Sequence, residues 1–182
     1  MTRKFAPTWK HHIERYAFAL PYCYRRNVMD AGSQTGFGAN LLSHVAKSVD
    51  CVDISEYWLN LANDLYQPHC EMRYLKCDFE KEFPEGSWDT IVAFEVIEHL
   101  EFPDVFLENV SKSLNKNGAL VFSVPHMVAN HEHKHLYDEE KIKELVGKYL
   151  NIKEFYVQDS GAIDKKPLYK GLKCYVGLGV KK

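Results

Sequence analysis

Short strand-like runs alternate with helix-like segments along almost the whole chain. The strand candidates are residues 27–31, residues 49–54, "MRYLKCD", "WDTIVAFEV", "ALVFSVP", "IKEFYVQD" and "KCYVGLGVKK". The helix candidates are residues 8–20, stopped by Pro21, residues 38–46, "SEYWLNLANDLY", "PDVFLENVSKSLNKNG" and "YDEEKIKELVGKYL". A helix between two strands carries the chain back to its starting edge, so consecutive strands run parallel. Right-handed crossovers then place helices on both faces of one sheet. The expected fold class is α/β, a doubly wound sheet. The last two strand candidates have no helix between them, so an antiparallel edge pair joined by the loop "SGAIDKKPLYKG" is expected.

With 182 residues, 46% of them hydrophobic, the chain can bury one full core, and residues 1–182 read as a single domain. Residues 1–24 form the segment before the first strand. The net charge of −2 gives no reason to expect a general polyanion binder, so nucleic acid is a disfavoured partner. Cys23, Cys51, Cys70, Cys77 and Cys174 are scattered and form no CxxC pair, which argues against a zinc site or a disulfide framework. A reducing, cytoplasmic location is the expectation. No apolar run approaches the roughly 20 residues of a membrane span, and the N-terminus lacks a signal-peptide core.

The stretch "RRNVMDAGSQTGFGANLLS" puts Gly32, Gly36 and Gly38 between the first strand and its helix. In a doubly wound sheet a ligand sits there, beyond the carboxyl ends of the strands. The spacing is not GxGxxG, and no P-loop lysine follows. Asp30, two residues before the first glycine, can accept from an ammonium group, which a dinucleotide does not offer. Asp53 ends the second strand about 20 residues on, where an acid can take both hydroxyls of a ribose. Asp78 follows the third strand and can accept from an adenine amino group, while Phe79 offers apolar surface. Each of these has a plainer reading as a cap or a solvated loop acid. Together they suit a cofactor carrying amine, ribose and adenine, and S-adenosylmethionine matches best.

At this point "VMDAGSQTGFG", "VDCVDIS" and the run from "CDFEKEFPEG" to "ALVFSVP" resemble, in order and spacing, the class I S-adenosylmethionine-dependent methyltransferases. The resemblance covers nearly the whole chain. It implies a Rossmann-like, mostly parallel seven-stranded sheet with an antiparallel last strand. It also implies that Arg15, Asp30, Gly32, Gln34, Gly36, Asp53, Ile54, Asp78, Phe79 and Glu95 lie along the cofactor. Gln34 departs from the family, which usually has glycine there. The helix "HHIERYAFALPYCYRRN" resembles one that closes over the cofactor's carboxylate, with Arg15 and Tyr16 as candidates.

Methyl transfer from a sulfonium needs an oriented acceptor and, for a hydroxyl, removal of a proton. Candidates follow the fourth and fifth strands, in "EVIEHL" and "HMVANHEHKHLY". A helical turn would gather Glu95, Glu98 and His99 on one face. This resembles the site of ubiquinone-pathway O-methyltransferases and of small-RNA 3′-end 2′-O-methyltransferases, which implies a divalent metal such as magnesium. His133 is the further candidate, as a ligand or, with His99, as the catalytic base. The competing reading makes Glu98–His99 a hydrogen-bonded pair at a helix start. The acceptor expected is a small molecule, with a hydroxyl preferred. Tyr22, Tyr24, Phe94, Phe102, Tyr137 and Tyr169 are available to line its pocket. An RNA end and a non-catalytic cofactor-binding module are the alternatives.

Overall fold

The computed structural model describes residues 9–129, 131–159, 162–165 and 174–182. Its elements follow the order α1 (Trp9–Cys23), β1 (Asn27–Ala31), α2 (Phe37–Ser43), β2 (Ser48–Asp53), α3 (Glu56–Leu65), β3 (Glu71–Lys76) and β4 (Trp88–Phe94). A 3-10 turn (Ile97–His99) precedes α4 (Pro103–Ser113), β5 (Leu114–Pro125), α5 (Glu139–Tyr149), β6 (Leu150–Asp159), β7 (Ala162–Asp164) and β8 (Cys174–Lys181). Tyr169 and most of the loop before β8 lie outside the described residues.

The strands form one sheet in the order β3-β2-β1-β4-β5-β8-β6-β7. The pairs β1–β2, β2–β3, β1–β4 and β4–β5 are parallel, and β8 is antiparallel to both β5 and β6. The expected α/β fold is therefore present, with a short eighth strand, β7, at one edge. The expected antiparallel pair of β6 and β8 is present at this end of the sheet, with β8 as its inner member, between β5 and β6. Its residues 174–179 are all buried, as a strand covered on both faces requires. β6 is the more exposed of the two and takes the outer position.

Alternate strand residues serve two cores. Met29, Ala31, Ile91, Ala93, Leu120 and Phe122 pack under α4 and α5, against Phe106, Leu107, Ile142 and Val146. Val28, Val49, Val92, Phe94 and Val121 pack under α1, α2 and α3, against Tyr16, Ala19, Leu42 and Leu59. Each fully buried aliphatic or aromatic side chain of this kind contributes on the order of 1.5–3 kcal/mol. Helix starts follow their local chemistry: Ser55 and Asp138 accept from the amides of Trp58 and Lys141, and Pro103 opens α4. Pro21 does not end α1; it falls in the last turn, and the helix runs on to Cys23. α4 is shorter than its sequence suggests, because β5 begins at Leu114 and the pairing with β4 skips from Leu114 to Ala119. Asn117 turns this bulge at φ 64°.

Gly177 shows how tightly β8 is seated. A Cβ there would lie 2.4 Å from Cζ of Phe122, whose ring is fully buried. Gly177→Ala should therefore destabilise the fold by about 1–3 kcal/mol, the usual cost of overpacking a core. Chemical denaturation checks this; an unchanged midpoint would mean that the Phe122 ring yields at no cost.

Candidate active site

β1 and β4 are neighbours, yet the chain reaches β2 and β3 on one side of them and β5 on the other. This reversal of strand order opens a crevice above their carboxyl ends. The glycine loop turns over the end of β1 there. The amides of Gly32 and Ser33 both donate to the Val52 carbonyl, at 2.8 and 3.1 Å. Gly32, Gln34 and Gly36 have φ of 70°, 44° and 71°, the left-handed region. A Cβ on Gly32 would lie 2.7 Å from Val96 Cγ2, and one on Gly36 would lie 2.4 Å from the Ala62 Cβ. Both glycines are therefore required by space as well as by φ.

Asp53 sits across from this loop at the tip of β2. Its Oδ2 accepts from the Gln34 amide at 2.9 Å and its Oδ1 from the Ser55 amide at 2.8 Å. Each oxygen keeps a further lone pair. Ile54, the next residue, is 61% exposed. The exposed Gln34 side chain leaves the loop's hydrogen bonding to its backbone.

Asp30 does not have the role its position suggests. It has no exposed surface, and both of its oxygens lie within 3.2 Å of the Tyr16 hydroxyl, which donates to them. Burial pushes its carboxyl up to about 7, the Asp53 charge adding to this, against the stabilising Tyr16 hydroxyl and Ala39 amide. Gly38 makes the Tyr16 contact possible, since a Cβ there would lie 1.8 Å from the Tyr16 ring. Asp30 thus ties α1 to the glycine loop instead of facing the crevice. Tyr16, expected over a cofactor carboxylate, is its partner.

Asp78 and Phe79 also have local partners. Asp78 pairs with Lys81 at 2.7 Å and accepts from the Glu80 amide; the Lys81 ammonium holds its carboxyl below the usual range. Phe79 packs edge-on against Phe106, with ring centroids 5.1 Å apart, at the margin of the core. Of the aromatics expected around an acceptor, Phe94 and Tyr137 are buried, Tyr24 and Phe102 are exposed, and Tyr22 donates to Glu154.

The "EVIEH" segment does not gather its acids on one face. Glu95 precedes the 3-10 turn and has φ 56°, unusual for a glutamate. Its Oε1 accepts from Ser123 Oγ at 2.8 Å and from the Cys174 thiol at 3.1 Å, and lies 3.6 Å from Arg15 Nη1. Arg15 is only 2% exposed; it also donates to Gln158 and contacts His12, and its Nε has no partner among the described residues. The expected metal set of Glu95, Glu98 and His99 is therefore corrected: Glu95 is turned away toward this buried cluster. Ser123, Gln158 and Cys174 carried no sequence signal, because they come from strands 28 to 159 residues distant from their partners in the chain.

Glu98 is fully buried, and among the described residues neither of its side-chain oxygens has a hydrogen-bond partner. Burial, with the Glu95 charge adding to it, pushes its carboxyl well up. Glu98, His99 and His133 bring one ligand atom each within 4.8 Å of one another. His99 Nδ1 lies 3.1 Å from the Glu132 carbonyl, and His133 Nδ1 lies 2.7 Å from that of Val128. A carbonyl only accepts, so each neutral ring carries its proton on Nδ1 and presents Nε2 as a lone pair. The loop that brings His133 is pinned by the Lys134 and His135 amides, which donate to the Glu98 carbonyl.

A sequence model described as a methyltransferase domain matches residues 29–122, just over half of the chain, from β1 into β5. The chain belongs to this methyltransferase-domain family. A probable S-adenosylmethionine-dependent methyltransferase of Mycobacterium tuberculosis is 32% identical over 120 residues, 66% of this chain and 43% of that protein. The malonyl-[acyl-carrier protein] O-methyltransferase of Halalkalibacterium halodurans is 31% identical over 104 residues, 54% of this chain and 38% of that protein. The chain thus spans less than half the length of these relatives. Among solved structures, N-methyltransferase NodS from Bradyrhizobium japonicum in complex with S-adenosyl-L-homocysteine matches with a TM-score of 0.75. At 17% identity, over 94% of this chain and 85% of that one, it shows a shared fold.

This methyltransferase domain uses a glutamine where the backbone is left-handed, which costs roughly 1–2 kcal/mol for a residue with a Cβ. Gln34→Gly should keep the Asp53 bond, which comes from the backbone, and relieve that strain. Thermal melting should show the variant at or above wild-type stability. A clear loss would mean that the Gln34 side chain holds the loop.

Proposed function

We propose that this domain binds S-adenosylmethionine and transfers its methyl group to an oxygen of a small-molecule acceptor. The observation that carries the reading is the pinned pair of loop and acid at the β1–β4 crevice: left-handed Gly32–Gly36 opposite Asp53. Family membership supports it independently. The glycine loop lets the backbone approach the methionine chain, Asp53 offers its remaining lone pairs to the ribose hydroxyls, and Ile54 offers apolar surface beside the adenine. The cofactor supplies the reactive methyl. The protein has to align the acceptor for in-line attack and accept its proton. With no cation bound, the Nε2 atoms of His99 and His133 are the bases available for that proton; with one bound, the same lone pairs are its ligands.

Calorimetry tests the cofactor. S-adenosylhomocysteine should bind and NAD should bind far more weakly. Asp53→Ala should weaken S-adenosylhomocysteine at least tenfold, since charge-assisted hydrogen bonds are worth about 1.5–3 kcal/mol each. Tighter binding of NAD than of the nucleoside would overturn the reading.

Glu98, His99 and His133 fit a divalent cation. A fully buried carboxylate with both oxygens unpartnered is costly unless something compensates it. Two imidazoles oriented by backbone carbonyls are the usual outer support of metal-binding histidines. With Glu95 engaged elsewhere, the donor set is one oxygen and two nitrogens. That favours manganese or zinc over the magnesium expected from two carboxylates. A bound cation would supply Lewis acidity that lowers the pKa of an acceptor hydroxyl. The residues' own part is to hold that oxygen next to the crevice, between Glu95 and the histidine loop. Titration of the metal-stripped protein with manganese should show one site that Glu98→Gln abolishes while S-adenosylhomocysteine binding persists. Methyl transfer undiminished in excess chelator would remove the metal from the reaction.

A further inference from the structure

Resting on the cofactor reading above, we infer that the primary ammonium of the cofactor's amino-acid end is recognised by Glu95, and not by the acid of the glycine loop. Asp30 is sealed under Tyr16 and has no surface in the crevice. An ammonium group needs acceptors it can reach. Glu95 is the acid that the fold presents in its place. Its side chain is 26% exposed, and the residue after it, Val96, packs against Gly32, so it stands directly beside the loop over which the methionine chain passes.

The geometry of Glu95 is that of a prepared acceptor. Three groups converge on a single oxygen: the Ser123 hydroxyl at 2.8 Å, the Cys174 thiol at 3.1 Å and the Arg15 guanidinium at 3.6 Å. Its amide is held as well, 3.1 Å from both the carbonyl and the hydroxyl oxygen of Ser123. These contacts fix the side chain through Oε1 and, among the described residues, leave Oε2 for a ligand. The backbone takes a left-handed φ to bring this about, a conformation that persists only where its surroundings enforce it. Arg15 is a positioning residue in this arrangement. It is too deeply buried to meet the ammonium, and it supplies the positive charge behind Oε1.

The ligand pair S-adenosylhomocysteine and 5′-methylthioadenosine tests this. Both carry the adenosine and the sulfur, and only the first has the ammonium. Binding of each is measured by calorimetry for the wild type, Glu95→Gln, Ser123→Ala and Asp30→Asn. Glu95→Gln should weaken S-adenosylhomocysteine about tenfold or more and leave 5′-methylthioadenosine unaffected. Ser123→Ala should shift the same ratio in the same direction by less. Asp30→Asn should leave the ratio as it is, even if it changes the melting temperature. An unchanged ratio in Glu95→Gln, or a loss equal for both ligands, would overturn the assignment. So would an Asp30→Asn variant that alters the ratio as strongly as Glu95→Gln. Wild-type protein that binds neither nucleoside would overturn the cofactor reading itself, an outcome distinct from these.

Discussion

The crevice depends on how the chain leaves β1. After Ala31 it must turn through a right angle within a few residues and start α2 without covering the strand ends. Left-handed backbone at Gly32, Gln34 and Gly36 achieves this. The turn is held from two sides, by the Val52 carbonyl below and by Asp53 beside it. The close approaches of Gly32 to Val96 and of Gly36 to Ala62 also fix where β4's exit and α3 pack. One turn therefore locates all three walls of the site.

Buried acids set the electrostatics of the same region, and each is settled differently. Asp50 lies on β2 below the crevice and is fully compensated by the Arg73 guanidinium and the Trp88 indole, at 2.6 to 2.7 Å. Asp30 has one hydroxyl donor and is pushed toward its neutral form. Glu95 has three groups on one oxygen. Glu98 has none. Compensation is thus strong at Asp50 and Glu95, weaker at Asp30 and missing at Glu98, and the cost of burying a carboxylate rises as it falls. Burial pushes Glu98 toward its neutral form, so it is the acid of this region whose state a bound cation would change most.

Much of this was legible in the sequence. Alternating periodicity gave the layer order, and the acids after "VM", "VDCV" and "LKC" marked three successive strand ends. Local chemistry also placed the caps at Ser55 and Pro103. What escaped has one physical cause: it depends on partners far apart in the chain. Asp30 reads as an open acid until Tyr16, 14 residues earlier, is folded over it. Glu95 reads as a third metal ligand until Arg15 and Cys174 meet it from α1 and β8. The inner place of β8 went unread, although its near-continuous apolar run suits a strand covered on both faces. Gly177 was a signal for it: a bare backbone in an apolar run implies a large ring opposite, here Phe122.

Glu95 and Glu98 are three residues apart and serve different purposes because of the backbone between them. On a continuous α-helix their side chains would share a face. A left-handed Glu95 followed by a 3-10 turn rotates them apart instead. Glu95 then meets α1 and β8, while Glu98 meets the loop after β5. Both sets of partners lie near the carboxyl end of β5, at Ser123 and Cys174 for Glu95 and at the histidine loop for Glu98. A ligand with an ammonium at one end and a reactive carbon further along would pass Glu95 first, with its acceptor entering from the side of His99 and His133. On the proposed reading, the left-handed residue at the end of β4 is what would separate cofactor recognition from acceptor chemistry within a short stretch of chain.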